Sequence, residues 1–114
     1  VTVARERLAI RGGEVMTSRI EMVSEIIDSA KNLGTLLQLH GPANMQGILD
    51  ESGNFLFTDV NLRFGSGVVH TIHAGADIPR IIFQELVGQS VDKMANVVTN
   101  GSTMFRFHDA IFDS

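Results

Sequence analysis

The chain has no cysteine, so disulfides, thiolate nucleophiles and thiolate metal ligands are all excluded. It also has no excess of basic charge. Lys and Arg number 9 against 13 Asp and Glu, giving a net charge of −4. Without a basic stripe to neutralise phosphates, nucleic acid is not an expected partner. No apolar run approaches membrane-spanning length and no signal-peptide pattern is present, so no membrane partner is expected either. Internal repeats, linkers and low-complexity runs are missing as well. What is present is 114 residues, 44% of them hydrophobic, enough for one domain with a buried core. A cytoplasmic location fits the missing cysteines. The chain opens on Val1-Thr2-Val3-Ala4, which already reads as strand. The expectation is therefore a piece of a longer protein, with part of any active site lying before Val1.

Residues 1–10 alternate weakly and read as a strand carrying Arg5 and Arg7, with Arg11 just beyond and a turn at Gly12-Gly13. Residues 14–18 read as a short extended connector, with Ser18 a candidate cap for a helix over 19–37. In that helix Val23, Ile26, Ile27, Ala30, Leu33 and Leu37 recur at three- and four-residue spacing and form a core stripe. Gly41-Pro42 ends the region. Further on, Ser66 is a candidate cap for a helix over 68–76, and Asp77 for a helix with Pro79 in its first turn. The second of these has a stripe of Ile78, Ile81, Ile82, Leu86 and Val87, and ends at Gly88. The tail from Val91 is mixed, with a final strand over 103–108 after Gly101.

The most chemically specific stretch lies between, at residues 41–64. Asp50-Glu51-Ser52-Gly53-Asn54 supplies turn chemistry between two strands. On the second strand Asp59, Asn61 and Arg63 are two apart, so all three share one face; Asn44 and Gln46 have the same spacing on the first. A four-residue loop, 51–54, pairs Asp50 with Phe55 and sets Gln46 opposite Asp59 and Asn44 opposite Asn61. A five-residue loop pairs Met45 with Asp59 and buries a carboxylate among apolar groups, which is costly. In the favoured register Ile48, Phe55 and Phe57 extend the polar face, while Met45, Leu49, Leu56, Val60, Leu62 and Phe64 line the other. Magnesium takes hard oxygen ligands, typically one or two carboxylates together with substrate phosphates. Asp59, Asn61 and Gln46 supply such oxygens, and Arg63 supplies a fork for a phosphate. The competing reading is a merely solvated sheet face.

Here the chain resembles the C-terminal part of an ATP-grasp domain, in the carbamoyl-phosphate-synthase-like branch of the carboxylate–amine ligases. That branch reads G-P-x-N-x-Q before the turn and E-x-N-x-R-F-G-G-G after it. This chain has Gly41-Pro42-Ala43-Asn44-Met45-Gln46 and then Asp59-Val60-Asn61-Leu62-Arg63-Phe64-Gly65-Ser66-Gly67. Further likenesses are Arg5-Glu6-Arg7-Leu8-Ala9-Ile10-Arg11-Gly12-Gly13-Glu14, Ala74-Gly75-Ala76-Asp77-Ile78-Pro79, Glu85-Leu86-Val87-Gly88 and Met104-Phe105-Arg106. The resemblance implies that Gln46, Asp59 and Asn61 are metal ligands for Mg2+ or Mn2+. It gives Arg63 the phosphate-contacting, catalytic role and puts Asn44 beside ATP phosphate. The activity it implies is ATP-dependent ligation, in which a carboxylate is activated as an acyl phosphate and captured by an amine. The family's phosphate-holding lysines, Gly-rich lid and preceding domain would lie before Val1, so residues 1–114 alone are expected to turn over little ATP. Two departures stand out: Asp59 where Glu is usual, and Leu62 where Pro is usual.

The implied partners are ATP, a small carboxylate, an amine and the upstream part of the same chain, with a homodimer as an open alternative. Other candidates are weaker. His70 and His73 form H-x-x-H without the zinc-protease Glu, and ordinary core or surface histidines are the expectation. His40 lies near the polar strand and His108 is incidental. Gly65-Ser66-Gly67 offers backbone N–H groups or simply a tight turn, and Arg11 with Gly12-Gly13 is a candidate for the same cleft. No nucleophile or general base is evident. The expected fold is α+β: one antiparallel sheet carrying the hairpin, with the 19–37 and 77–87 helices packed on its apolar face. A rival reading keeps this scaffold as a non-catalytic binding or oligomerisation module, which the shorter Asp59 side chain favours slightly.

Overall fold

Gly12 and Gly13 take φ of 56° and 78°, the left-handed conformations that a two-residue hairpin loop requires and glycine adopts without a Cβ penalty. They join β1 (Arg5–Arg11) to an antiparallel β2 (Glu14–Ile20), with Arg11 opposite Glu14. Residues 14–18 are thus strand rather than connector, and the strand continues to Ile20. The computed structural model describes residues 1–91 and 97–109.

The register of this pair skips Leu8 on β1 and Met16 on β2. Such a bulge shifts the in–out alternation by one residue. Val15, Ser18 and Ile20 therefore all face inward and are buried, at a spacing that no unbroken period of two would give. Ser18 is fully buried in the strand, so it cannot cap a helix. β5 (Thr103–Phe105) completes a three-stranded sheet in the order β1-β2-β5. Backbone bonds from Ile20 N–H to Ser102 O and from Gly101 N–H to Ile20 O lock its approach.

The core behind β2 is small and built from Ala4, Val15, Ile20, Ala74, Ala76 and Ile81. Burying a side chain the size of Ile20 stabilises by about 1.5–3 kcal/mol. At its centre lies a polar group. His70, on α2 (Val68–His73), is 2% exposed, and its ring meets the hydroxyls of Ser18 and Ser102 at 2.8 Å each. In the neutral imidazole one nitrogen donates and the other accepts, so two rotatable hydroxyls satisfy both.

Among the described residues the polar hairpin is a sheet of its own, β3 (Asn44–Leu49) pairing with β4 (Phe55–Asn61) alone. The fold is α+β with antiparallel sheets, as expected, and the sheet that carries the hairpin is separate from the three-stranded one. α1 runs over Ser24–Leu36, because residues 19 and 20 belong to β2. Its cap position is Val23, with no side-chain cap. Its stripe is only half buried at Ile26, Ile27, Ala30 and Leu33, and Val23 and Leu37 are exposed. Gly34 faces Met45, whose Cε lies 3.8 Å from where a Cβ would stand, so α1 covers the Met45 face of the hairpin. α3 (Ile78–Leu86) begins as its sequence predicts: Asp77 Oδ1 accepts from the Arg80 N–H at 3.1 Å, and Pro79 sits in the first turn. Gly88 follows its end at φ 70°. Of its stripe, Ile81 is buried while Leu86 and Val87 are exposed. No helix among the described residues is long and apolar enough to cross a membrane.

Candidate functional site

The hairpin loop is five residues, not four, since Leu49 rather than Asp50 stands opposite Phe55. Asp50 instead organises the turn. Its Oδ1 accepts from the N–H groups of Ser52 and Asn54 at 2.9 and 2.8 Å, and Oδ2 accepts from the Asn54 amide. These N–H groups favour the ionised form, and the Asn54 backbone contributes most to holding the Asp50 carboxyl below its ordinary value.

A loop of that length should shift the register. It does not, because β4 skips Thr58: Gly47 pairs with Phe57, and Gln46 pairs with Asp59. This bulge restores the pairing of Gln46 with Asp59 and of Asn44 with Asn61 that the polar residues favour. It also exchanges the faces near the turn. Phe55 and Phe57, opposite Leu49 and Gly47, fall on the Met45 face, and Leu56, opposite Ile48, falls on the polar one. The two Phe rings meet edge to face at 5.0 Å, and Phe55 covers the bare Cα of Gly47.

Four of the five residues singled out by sequence thus share one face. Asn61 donates from Nδ2 to Asp59 Oδ2, which leaves the Asn61 amide oxygen available. The Asn44 amide lies against Gly65, where a Cβ would fall 2.8 Å from it. Gln46 Oε1 accepts from Arg7 Nη1 at 2.8 Å. Arg63 is different. It lies past the end of β4, where its N–H turns back to Asn61 O at 2.9 Å and its guanidinium donates to Phe64 O at 3.0 Å. The strand pleat therefore does not align it with Asp59 and Asn61.

The loop at 65–67 is held by a backbone N–H of β2 and by arginine side chains on and next to the three-stranded sheet. Ser66 Oγ accepts from the Val15 N–H at 3.0 Å, and its carbonyl accepts from Arg106, which also pairs with Glu14. Ser66 therefore ties this loop to the three-stranded sheet and does not cap α2, at whose start Gly67 stands. Arg5 Nη1 donates to Gly67 O at 2.9 Å and to Thr71 Oγ1 at 2.8 Å, while its buried Nε has no partner among the described residues. Burial, and then the charge of Arg7, lower the Arg5 pKa.

Asp59, Asn61 and Gln46 are hard oxygen donors, which suits Mg2+ or Mn2+ and suits softer metals poorly. Asp59 is the single carboxylate among them. Among the described residues, no group of three His, Cys, Asp or Glu could hold a metal. One carboxylate and two amides fit a metal that arrives with phosphates better than one bound by protein alone. His70 and His73 do not form a metal pair, because both ring nitrogens of His70 are occupied and His73 is exposed. Arg5 and Arg7 are what sequence reasoning passed over. Their spacing of two on a strand was the available signal, the same one that exposed Asp59 and Asn61.

A family model described as "ATP-grasp in the biosynthetic pathway with Ter operon" matches residues 1–106. No curated protein matches the chain.

Proposed function

The chain belongs to this ATP-grasp family, and from that premise we propose that it forms the phosphate-binding wall of an ATP-dependent ligase of the carbamoyl-phosphate-synthase-like type. The observation that carries the reading is the register of the hairpin. It pairs Gln46 with Asp59 and Asn44 with Asn61, gathering oxygen-bearing side chains on one face. Asp59, Asn61 and Gln46 would hold Mg2+ or Mn2+, and Asn44 and Arg63 would contact the phosphates of ATP. When bound, the metal would neutralise charge on a phosphoryl group passing from ATP to a substrate carboxylate; an amine would then attack the acyl carbon, with inorganic phosphate as the leaving group.

The residues of this chain do the positioning. Asp59 contributes the negative charge that draws in the cation, and Asn61, bonded to one Asp59 oxygen, fixes the rotamer of that carboxylate. Asn44 is kept in place against Gly65, where any larger residue would displace it. Arg63 is exposed and, among the described residues, its guanidinium is bonded to its neighbour's carbonyl alone, so its fork can turn onto a phosphate at small cost. Nothing on this wall is placed to take a proton, and positioning with charge neutralisation is where phosphoryl transfer gains most.

Mn2+ titration of the labelled chain tests the metal assignment. Amide signals of Asp59 and Asn61 should broaden first, and Asp59→Ala should abolish the effect. Broadening elsewhere, or none, would overturn the assignment. On this reading the chain supplies one wall of an ATP site, and residues 1–114 alone should show little or no Mg-dependent ATP turnover.

A further inference from the structure

We infer that Arg7, backed by Arg5, forms an oxyanion-binding subsite beside Gln46. It would take a phosphate oxygen of the nucleotide or the carboxylate of the acceptor. The inference rests on the ligase reading for the source of the anion, but not for the existence of the site.

Arg5 and Arg7 stand opposite Ile20 and Ser18, two of the most buried residues in the chain. Both arginines therefore project from the same face of the sheet, Arg5 half-buried against the 65–67 loop and Arg7 exposed beside the hairpin. Arg7 reaches the hairpin through Gln46 Oε1 at 2.8 Å. Arg5 reaches the loop through Gly67 O and Thr71 Oγ1.

Among the described residues neither arginine has a carboxylate partner. Ion pairs among the described residues involve Arg19, Lys31, Arg106 and His108. Two guanidinium groups facing the same way without a counter-ion repel one another, and the lowered pKa of Arg5 has Arg7 as one of its causes. Their partners are instead neutral oxygens, a carbonyl, a hydroxyl and an amide. These orient the forks without discharging them. The buried Nε of Arg5 adds a donor that no described residue satisfies. Gly67 makes room for this arrangement, since a Cβ there would overlap the Arg5 guanidinium. An oxyanion beside Arg7 would relieve the repulsion and lie next to Gln46, on the face that carries Asp59.

The test is binding of inorganic pyrophosphate and of acetate to the metal-free chain. The readouts are the Arg7 Nε–Hε and the Gln46 side-chain amide signals. Either anion should shift both. Arg7→Gln should weaken that binding by about tenfold, the scale of one charge-assisted contact. Arg80→Gln, which removes the same charge from an exposed position on α3, should leave it unchanged. A response to pyrophosphate alone makes the anion a phosphate, whereas acetate binding with the same dependence on Arg7 makes it the acceptor carboxylate. Binding that is as tight in Arg7→Gln as in the parent, or no shift with either anion, overturns the inference. Because metal is absent, a failed Mn2+ response at Asp59 leaves this outcome independent.

Discussion

His70 offers a sharp test of what holds the domain together. Its imidazole is 2% exposed and bridges Ser18, on the central strand β2, to Ser102, just before β5. Replacing it with Ala removes the ring and leaves two hydroxyls unpaired. Each unsatisfied buried polar group costs about 1–3 kcal/mol, and a cavity adds a comparable amount. Ser18 is fully buried and Ser102 only half-buried, so one full penalty plus the cavity gives roughly 2–6 kcal/mol, a large part of the about 5–15 kcal/mol that typically holds a domain. A subtler variant, His70→Gln, keeps hydrogen-bonding capacity and tests charge. Burial lowers the pKa of His70, with the charges of Arg5 and His73 acting in the same direction, so the folded chain holds the ring neutral. The unfolded chain binds this proton more readily, near the ordinary value of 6.5. Stability is then fully present above that pH and falls as the pH drops through and below it, until the folded pKa is reached. The slope is at most about 1.4 kcal/mol per pH unit for one proton. Urea unfolding between pH 5 and 8 should show the decline in the parent chain and less of it in His70→Gln. Differences between the two isolate His70 from His40, His73 and His108. Equal slopes in both chains, or a parent whose stability rises on acidification, would refute the assignment of a buried neutral imidazole.

Two further outcomes follow from the hairpin. Gly47→Ala would place a Cβ 2.5 Å from both the backbone oxygen of Leu56 and the Phe55 ring, so β3 and β4 must part near the bulge. A loss of about 1–3 kcal/mol, typical of overpacking, should appear in thermal unfolding together with faster amide exchange at Ile48 and Leu56. Unchanged exchange would argue against the bulge at Thr58. Asp50→Ala should speed exchange at the Ser52 and Asn54 amides, and the parent loop should loosen in the same way only as pH falls below about 3.8, the ordinary value of that carboxyl.

The polar face of the hairpin was legible in the sequence because spacing of two on a strand fixes which side chains share a face. Asp77 and Pro79 were legible for a similar reason, as their chemistry acts within one turn. What sequence misplaced has a common cause. The bulge at Met16 broke the alternation that would have marked residues 14–20 as strand, and the bulge at Thr58 moved Phe55 and Phe57 to the other face. The loop length was misjudged by one residue while the register it was meant to fix was right, because a bulge can absorb one residue without disturbing pairs beyond it. Ser18 and Ser66 looked like helix caps, yet both hydroxyls are used across the fold, by His70 and by the Val15 N–H.

By itself, then, the sequence determined the local chemistry: an α+β chain of an ATP-grasp type, with oxygen donors at 44, 46, 59 and 61 and no thiol. Only the tertiary structure decided that the hairpin stands as a separate sheet, that His70 is the polar centre of the core, and that Arg7 meets Gln46 across 39 positions of sequence. Residues brought together by bulges and by packing between sheets share no periodicity. Their proximity depends on how the two sheets meet, which no local spacing records.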